Sequence, residues 1–274
     1  MTFVSAVLAI FAILIVYQVY YLFFKPTADS PDVVFRQKAV SIGLLVLLLM
    51  FGLYQFATYP SDAQMIRRFQ DIYLTNSKQT WETLTFLNIE CGQHPNDAWV
   101  HQEIISQVKP DFVVEAGTYK GASAALWALV LGQVNPQGRV ISIDIHDHGI
   151  AYDKAPILKE KMDFILGGST DPKTIAEVQK RVAGKKVLVI LDSMHTKEHV
   201  LAELRAYAPM VSVGSYILVQ DTGLSSHPTL KSAEPGPLGA VEQFLQENDQ
   251  FVPDYWPERL MFTTQPKGYL KRVK

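Results

Sequence analysis

Beyond residue 80 the chain alternates between short apolar runs and helical patterns, and this alternation restricts the fold more than any other feature of the sequence. Five apolar runs have the continuous character of strands that are covered on both faces; they cover residues 111–115, 139–144, 162–166, 186–192 and 215–221. Helical patterns lie before and between them, at 97–108, 123–131, 174–183 and 199–207. Strands and helices in this order form βαβ units, so the sequence predicts an α/β fold with a doubly wound, Rossmann-like parallel sheet.

The C-terminal segment departs from this alternation. A helical pattern covers Val241–Asn248, and two further apolar runs, 259–264 and 268–272, flank the turn-forming sequence Gln265-Pro266-Lys267. Strands joined by so short a turn pair antiparallel, so we predict a C-terminal antiparallel hairpin that closes the edge of the sheet. The stretch Ser225–Gly239 is rich in Pro, Gly and Ser and is predicted to be a loop.

Two apolar stretches without charged residues precede this domain, at residues 3–24 and 39–60. At roughly 1.5 Å per residue, each is long enough to cross a hydrocarbon core of about 30 Å. No Lys or Arg precedes the first stretch and no small-residue cleavage site follows it, which argues against a secretory signal peptide. Buried helices of a soluble core are the other alternative. We predict a membrane hairpin over residues 1–60 with transmembrane helices at about 3–24 and 39–58, a juxtamembrane helix over 61–80, and one α/β domain over 81–274.

The distribution of charge excludes one class of partner and leaves the orientation of the membrane hairpin undecided. The net charge is −2, whereas a nucleic-acid-binding protein normally carries a basic excess. The single cysteine, Cys91, excludes a disulfide framework within the chain. Three basic residues follow the first apolar stretch and three follow the second, so the positive-inside rule does not decide the topology. They are Lys25, Arg36 and Lys38, and then Arg67, Arg68 and Lys78.

Polar residues stand at the carboxyl end of four predicted strands: Glu115, Asp144, Asp192 and the pair Gln220-Asp221. In a doubly wound sheet, ligands bind outside the carboxyl ends of the strands, where the strand order reverses. Carboxylates at this edge suit the hydroxyl groups of a nucleoside, or a bound metal ion. Any one of these acids could instead cap the helix that follows it. The four together favour a ligand site.

The turn after the first strand, Glu115-Ala116-Gly117-Thr118-Tyr119-Lys120-Gly121, contains two glycines four residues apart. Glycines allow the backbone to turn tightly and to approach a ligand closely. The turn lacks the Gly-x-Gly-x-x-Gly sequence of dinucleotide-binding proteins, and Glu115 at its start suits a cationic ligand better than a phosphate. S-adenosylmethionine carries an ammonium group, a sulfonium group and a ribose with two hydroxyls. Asp144 is placed to accept hydrogen bonds from those hydroxyls.

Five segments carry a resemblance to a known family. They are Lys109–Thr118, Gly167–Pro172, Leu191–Val200, Gly214–Thr222 and Gly268–Arg272. In this order and spacing the chain resembles the cephalosporin hydroxylase family from about Trp81 to the C-terminus, but not over the apolar stretches. Despite its name, that family has a class I methyltransferase fold and includes rhamnosyl O-methyltransferases. The resemblance implies that Glu115, Gly117 and Asp144 bind S-adenosylmethionine, together with Thr118 and Gly121 of the same turn, and that Ser169 and Asp171 lie near the adenine.

The resemblance also implies a metal site. Members of the family can bind Mg²⁺ through an acid after the fourth strand and an acidic pair after the fifth, which correspond here to Asp192, Gln220 and Asp221. A hard dication takes oxygen ligands, holds a substrate diol and lowers the pKa of the attacked hydroxyl. Gln220 stands where an acid is usual, so the site loses one negative charge. Metal-dependent and metal-independent catalysis therefore both remain open.

Without a metal, the reaction needs a general base. His195 follows the fourth strand at the predicted active-site edge and is the candidate base, with structural hydrogen bonding as the alternative. His199 lies one helical turn further and is predicted to be structural. His227, in the loop after the fifth strand, could approach an acceptor.

The sequence thus predicts a multi-pass, membrane-anchored O-methyltransferase that uses S-adenosylmethionine and, if the site holds one, Mg²⁺. Its acceptor would be a small molecule or a sugar of a glycolipid or lipid-linked glycan, because the hairpin would hold the domain at the bilayer. We expect the domain in the cytoplasm, where the cosubstrate is made. A catalytically degenerate membrane scaffold is the alternative that Gln220 favours. The sequence leaves open whether the chain forms a homo-oligomer.

Overall fold

The computed structural model describes residues 12–21, 30–226 and 235–274, but not the side chains of 55–57 and 225–226. The chain divides into two compact units, Met1–Met65 and Ile66–Lys274. The predicted acceptor-side residue His227 and part of the predicted loop 225–239 lie outside the described residues.

The first unit contains helix α1, described over Ala12–Tyr21, and helix α2 (Pro31–Thr58). Within the described residues, one stretch, Pro31–Tyr54, is long and apolar enough to cross a membrane by length and composition, with a mean hydropathy of 1.9. Most of its large apolar side chains are exposed; Val40, for example, is 73% accessible. The described residues therefore supply one candidate for the two predicted transmembrane helices, and the ends of the first predicted span fall outside them.

The remaining helices and strands carry the α/β domain. In chain order they are α3 (Asp62–Thr75), β1 (Thr85–Phe86), β2 (Ile89–Glu90), α4 (Pro95–Val108), β3 (Phe112–Ala116), α5 (Ala122–Val134), β4 (Arg139–Asp144), α6 (Ile157–Lys161), β5 (Met162–Leu166), α7 (Pro172–Val182), β6 (Val187–Leu191), α8 (Lys197–Tyr207), β7 (Tyr216–Val219), α9 (Gly236–Glu247), β8 (Phe251–Pro253) and β9 (Tyr269–Arg272). Short 3₁₀ turns connect several of them, including Thr222–Ser226 after β7 and Trp256–Leu260 after β8.

The main sheet has seven strands in the order β5-β4-β3-β6-β7-β9-β8. The first five in this order pair parallel, and β9 pairs antiparallel with both β7 and β8. The strand order reverses between β3 and β6, which creates a crevice at their carboxyl ends. The predicted Rossmann-like, doubly wound sheet is confirmed.

Helices cover both faces of this sheet, which is why its central strands are mostly apolar. Along β3, Val114 packs into one core with α8 and α9, whereas Val113 faces the other core with α4 and α5. Both residues are fully buried. The sheet is thus a rigid platform whose carboxyl edge presents the polar residues predicted from the sequence.

The predicted C-terminal hairpin is wrong in one of its strands. Residues 259–264 form no strand; β9 pairs instead with β8, and it lies between β7 and β8, not at the edge of the sheet. The physical reason is a side chain far away in sequence. Asp97 of α4 accepts hydrogen bonds from the Thr264 backbone N–H (2.8 Å) and from the hydroxyls of Thr263, Thr264 and Tyr269. These bonds hold the segment against α4. They also satisfy the backbone N–H of Thr264, which a strand would use to pair with its neighbour. The predicted loop 225–239 also ends earlier than expected, because α9 begins at Gly236.

Candidate active site

A cavity of about 520 Å³ opens at the carboxyl ends of β3, β4 and β6, at the reversal of strand order. Five segments contribute to its lining: the β2–α4 connection, the turn after β3, and the loops after β4, β5 and β6. Predicted site residues that reach its wall are Gly117, Thr118, Asp144, Ser169 and Asp192. The volume suits a ligand of nucleoside size.

The turn after β3 is held in place by the carboxylate of Asp144. Its Oδ2 atom accepts hydrogen bonds from the backbone N–H groups of Thr118 (3.1 Å) and Tyr119 (2.9 Å), and its Oδ1 atom accepts one from His146 (3.1 Å). Gly117 begins the turn with a φ of 100°. A carboxylate oxygen has further lone pairs, so Asp144 can serve both the turn and a ligand in the cavity.

Glu115 lies behind this turn and does not line the cavity. It is 1% exposed, and its two carboxylate oxygens accept hydrogen bonds from the Trp127 indole (2.8 Å) and from the Ser142 hydroxyl (2.6 Å). Burial raises the pKa of Glu115 to about 7, against the hydrogen bonds that favour its charged form. The geometry therefore gives Glu115 a place beneath the turn, where it would act on a cationic ligand through the backbone.

Of three other predicted cofactor residues, only one lines the cavity. Ser169 lines the cavity, and its hydroxyl lies 3.1 Å from Nε2 of His199, which also lines the cavity. Asp171 caps α7 by accepting a hydrogen bond from the Lys173 N–H (2.8 Å), and it is not among the lining residues. Gly121 lies at the start of α5, also outside the lining. Ser169 is thus the one of the three that a ligand can touch.

Next to the cavity, Asp192, His195 and Asp221 converge, with one ligand atom from each within 4.8 Å of the others. The Nε2 atom of His195 lies 3.4 Å from Oδ1 of Asp192 and 3.4 Å from Oδ2 of Asp221. The parallel pairing of β6 with β7 brings the two acids together, because both follow the carboxyl ends of these neighbouring strands. A single imidazole therefore bridges two carboxylates.

The protonation of this cluster follows from its charges. Burial alone would lower the pKa of His195, but the hydrogen bond to Asp192 and the charges of Asp221, Asp192 and Glu203 outweigh it and raise that pKa to about 9. Burial raises the pKa of Asp221 to about 7, and the charge of His195 opposes this rise. The raised pKa keeps a proton on the His195 imidazole at neutral pH.

Two glutamines flank the cluster. Gln220, the predicted third metal ligand, is 5% exposed, and its Nε2 atom is buried without a hydrogen-bond partner. Gln93, which sequence reasoning missed, lines the cavity and donates a hydrogen bond of 3.0 Å to Oδ2 of Asp192, while its own Oε1 atom is buried without a partner. Gln93 lies 99 residues before Asp192, in a connection without a recognisable motif. No local signal could have revealed it.

The donor chemistry of the cluster fits a hard dication. Two carboxylates converge, and oxygen ligands of this kind hold Mg²⁺. Gln220 offers a neutral carbonyl oxygen where a third charge would strengthen the site. A dication held by Asp192 and Asp221 would supply a Lewis acid for the acceptor hydroxyl.

Comparison with known proteins gives a consistent result. A family model described as rhamnosyl O-methyltransferase/CmcI matches residues 78–273. The rhamnosyl O-methyltransferase of Mycobacterium tuberculosis is 33% identical over 238 residues, which cover 84% of this chain and 94% of that protein. The rhamnosyl O-methyltransferase of Mycobacterium leprae is 33% identical over 201 residues, 70% of this chain and 84% of that protein. The match to the Mycobacterium tuberculosis protein covers more of the chain than the family model does, so the similarity begins further toward the N-terminus than Trp81.

Two solved structures share the fold. A CmcI structure with Mg-SAM has a TM-score of 0.54 at 14% sequence identity and covers 92% of this chain and 88% of its own. A CmcI structure with SAH has a TM-score of 0.50 at 14% identity and covers 70% of this chain and 83% of its own. At this identity the likeness establishes the α/β methyltransferase fold.

Proposed function

The chain belongs to the rhamnosyl O-methyltransferase/CmcI family and is an S-adenosylmethionine-dependent O-methyltransferase, and from that premise we propose that its acceptor is a sugar hydroxyl, such as one of a rhamnosyl group. The observation that carries the proposal is the position of the cluster Asp192, His195 and Asp221 at the edge of the cofactor-sized cavity. A reacting hydroxyl placed at this cluster would face a cofactor methyl group within the cavity.

The reaction forms a bond between the acceptor oxygen and the methyl carbon, and breaks the bond between that carbon and the cofactor sulfur. The electron pair of the broken bond stays on sulfur, which gives S-adenosylhomocysteine, and the hydroxyl proton passes to the protein. Methyl transfer is an in-line displacement, so positioning and deprotonation of the acceptor supply most of the catalysis.

We assign the cofactor to the wall of the cavity formed by Gly117, Thr118, Asp144 and Ser169. Asp144 accepts from the ribose hydroxyls, and Ser169 lies on the adenine side. Glu115 acts from behind the turn: its buried carboxylate favours the positive charge of the cofactor through the backbone of Gly117. Gly121 and Asp171 shape this site from outside, as the N-cap residues of α5 and α7.

His195 is the proposed proton acceptor. At neutral pH its raised pKa keeps the imidazole charged, so it must first pass its proton to Asp221, whose Oδ2 atom lies 3.4 Å away. Burial raises the pKa of Asp221 to about 7, which makes this transfer feasible near neutral pH. The neutral imidazole then takes the hydroxyl proton. Mg²⁺ bound by Asp192 and Asp221 with Gln220 would replace this proton transfer, because a ligating carboxylate does not take up a proton; the dication would then hold and acidify the hydroxyl.

The experiment is methyl transfer from S-adenosylmethionine to phenyl rhamnoside by the full-length protein, followed by mass spectrometry. His195→Gln and Asp221→Asn should each lower kcat by about 100-fold, the usual contribution of a general base, while the affinity for S-adenosylmethionine stays at the wild-type value. Unchanged kcat in both variants would refute these roles, and no product from any sugar would refute the acceptor class.

The apolar N-terminal segment indicates that the enzyme binds its acceptor at a membrane. We propose that residues 3–24 and 39–58 anchor the protein as a membrane hairpin, with residues 61–80 following at the bilayer surface and the domain 81–274 in the cytoplasm. The exposed apolar surface of α2 supports an anchor. A lipid-linked sugar would then be presented beside the enzyme. Release of the protein from membranes by alkaline carbonate, without detergent, would contradict anchoring.

A further inference from the structure

Helix α8 has a polar face that turns toward the cavity to which we assign the cofactor (the cofactor cavity). His199, Glu203 and Tyr207 recur every fourth residue, a spacing that places their side chains on the same side of a helix. Glu203 and Tyr207 are fully buried, and His199 lines the cofactor cavity. The methyl-transfer steps proposed above use none of these three side chains, so their polar character needs another explanation.

Each of the three side chains contacts a serine of the cavity wall. The Tyr207 hydroxyl donates a hydrogen bond to the backbone carbonyl of Ser169 (2.8 Å). The Nε2 atom of His199 lies 3.1 Å from the hydroxyl oxygen of Ser169. The Oε1 atom of Glu203 accepts a hydrogen bond from the Ser193 hydroxyl (2.6 Å) and lies 3.3 Å from Nε2 of His199. Since Ser169 and Ser193 both line the cavity, α8 connects two hydroxyl groups of its wall.

The Glu203 carboxylate determines where the protons of this network lie. A carboxylate accepts hydrogen bonds and donates none, so the nearby Nε2 atom of His199 carries a proton. That N–H also faces the Ser169 oxygen, so the Ser169 hydroxyl directs its own hydrogen elsewhere. The Ser193 hydroxyl, by contrast, uses its only hydrogen on Glu203. Toward the cavity, Ser169 is therefore a hydrogen-bond donor and Ser193 an acceptor.

The position of Glu203 is unfavourable for stability. Its side chain is 0% exposed and does not line the cavity, and its Oε2 atom is buried without a hydrogen-bond partner among the described residues. A buried carboxylate with an unsatisfied oxygen lowers the free energy of unfolding. An unsatisfied group of this kind is typical of a functional site, not of a helix that only packs against a sheet.

A donor beside an acceptor matches the edge of an adenine ring. The amino group at C6 of adenine donates hydrogen bonds, and a ring nitrogen beside it accepts them. A 6-oxopurine such as hypoxanthine carries an acceptor oxygen at C6, which would meet the Ser193 oxygen with no hydrogen between them. Two acceptors that face each other away from water weaken binding, because each loses a hydrogen bond to water and gains none.

We propose that Glu203 is a positioning residue for the cofactor: it fixes Ser169 as a donor and Ser193 as an acceptor, so that the cavity selects a 6-aminopurine over a 6-oxopurine. The inference rests on the proposed placement of the adenine beside Ser169, and it extends adenine recognition to Ser193 and α8. Glu203 acts through the two serines and does not touch the ligand.

The test compares S-adenosylhomocysteine with its 6-oxo analogue, S-inosylhomocysteine, by calorimetric titration of the full-length protein in lipid nanodiscs. The wild type should bind the adenosyl compound about 50-fold more tightly, as expected for one mismatched buried hydrogen bond. Glu203→Met has a similar size but no acceptor oxygen, and it should lower this ratio to about fivefold. Glu203→Gln keeps an acceptor oxygen and should keep a ratio near the wild-type value. Both affinities come from one preparation, so partial unfolding does not change their ratio.

Two further variants complete the comparison. Glu198→Met is the matched control, because Glu198 lies on the same helix but is exposed to solvent, and its ratio should equal that of the wild type. Ser193→Ala removes the proposed acceptor without changing α8, and it should lower the ratio as Glu203→Met does.

A wild-type ratio near one would overturn the proposal, as would an unchanged ratio in Glu203→Met or in Ser193→Ala. A ratio in Glu203→Gln as low as in Glu203→Met would also contradict it, because the acceptor oxygen would then be unimportant. Ser169→Ala distinguishes failure of the adenine placement. Unchanged affinity of that variant for S-adenosylhomocysteine would refute the placement and the inference with it. Weakened affinity, together with an unchanged ratio in Glu203→Met, would refute the function of Glu203 alone.

Discussion

A Cβ atom added to Gly117 would lie 1.9 Å from the backbone carbonyl oxygen of Asp192. The turn that follows β3 and the residue that follows β6 are therefore in direct backbone contact. Because Gly117 lines the cavity to which we assign the cofactor and Asp192 belongs to the proposed catalytic cluster, this contact fixes the distance between the two halves of the proposed site.

Gly117→Ala should separate these two segments. Gly149→Ala is the matched control, since Gly149 also has a positive φ (77°) but has open space around its ideal Cβ position. In both variants the alanine must adopt a left-handed backbone conformation, which lowers the free energy of unfolding by about 1 kcal/mol. Only Gly117→Ala adds a steric clash. We expect Gly117→Ala to weaken S-adenosylmethionine binding at least tenfold (about 1.4 kcal/mol) by calorimetry. Equal affinities of the two variants would show that the contact is unimportant.

Asp144→Asn should weaken cofactor binding through the turn as well as through the ribose. The carboxylate accepts from Thr118 and Tyr119 with one oxygen and from His146 with the other, whereas an amide has only one acceptor atom. We expect a loss of affinity of about tenfold or more, measured by titration. Asp147→Asn, in the same loop but outside the cavity lining, is the control and should bind normally. A normal affinity of Asp144→Asn would argue against its assignment.

Gln93→Met tests the residue that sequence reasoning missed. The substitution keeps the side-chain size but removes the hydrogen bond to Oδ2 of Asp192. Since the lost bond is to Asp192, which belongs to the cluster proposed to hold the reacting hydroxyl, kcat should fall by about tenfold. The affinity for S-adenosylmethionine should stay within twofold, roughly the precision of such a titration. A loss of cofactor affinity with normal kcat would place Gln93 in the cofactor site instead.

His101 makes the stability of the domain depend on pH. Burial lowers its pKa to about 4, against the favourable charge of Asp97 and the hydrogen bond with Gln265. The unfolded chain, with the usual pKa of about 6.5, binds more protons than the folded chain between pH 6.5 and 4. This contribution to stability is therefore present above pH 6.5 and is lost as the pH falls toward 4, by about 3 kcal/mol in all.

The measurement is the free energy of unfolding against pH for the wild type and for His101→Gln. Glu115, whose raised pKa acts in the opposite direction over the same range, is common to both proteins and cancels in the difference. The wild type should lose more stability than the variant between pH 6.5 and pH 4. Parallel curves would mean that His101 titrates normally in the folded protein.

The strands of the sheet follow from local pattern. Arg139–Asp144 and Met162–Leu166 were predicted with the bounds that the structure shows, because each is a continuous apolar run between turns. The segment 259–264 has a similar apolar composition but forms no strand. The conformation of this segment depends on Asp97, more than 160 residues earlier, whose carboxylate accepts hydrogen bonds from Thr263 and Thr264. A pattern that covers a few residues cannot contain this information.

The site residues likewise fall into those that the sheet topology predicts and those that it does not. Asp192 and Asp221 come together because they follow adjacent parallel strands, and His195 joins them three residues after Asp192. Topology alone predicts that convergence. It does not predict that Asp171 caps a helix away from the cavity, nor that Gln93 folds back onto Asp192, since both depend on the path of a loop.

Methyl transfer itself is the most direct test of the central claim. Purified full-length protein in nanodiscs is incubated with S-adenosylmethionine and phenyl rhamnoside, and the formation of S-adenosylhomocysteine and of the methylated glycoside is followed by mass spectrometry. We predict equal amounts of both products, with a rate that falls steeply in His195→Gln. Binding of S-adenosylmethionine without any methylated sugar, or the same rate in His195→Gln as in the wild type, would contradict the account.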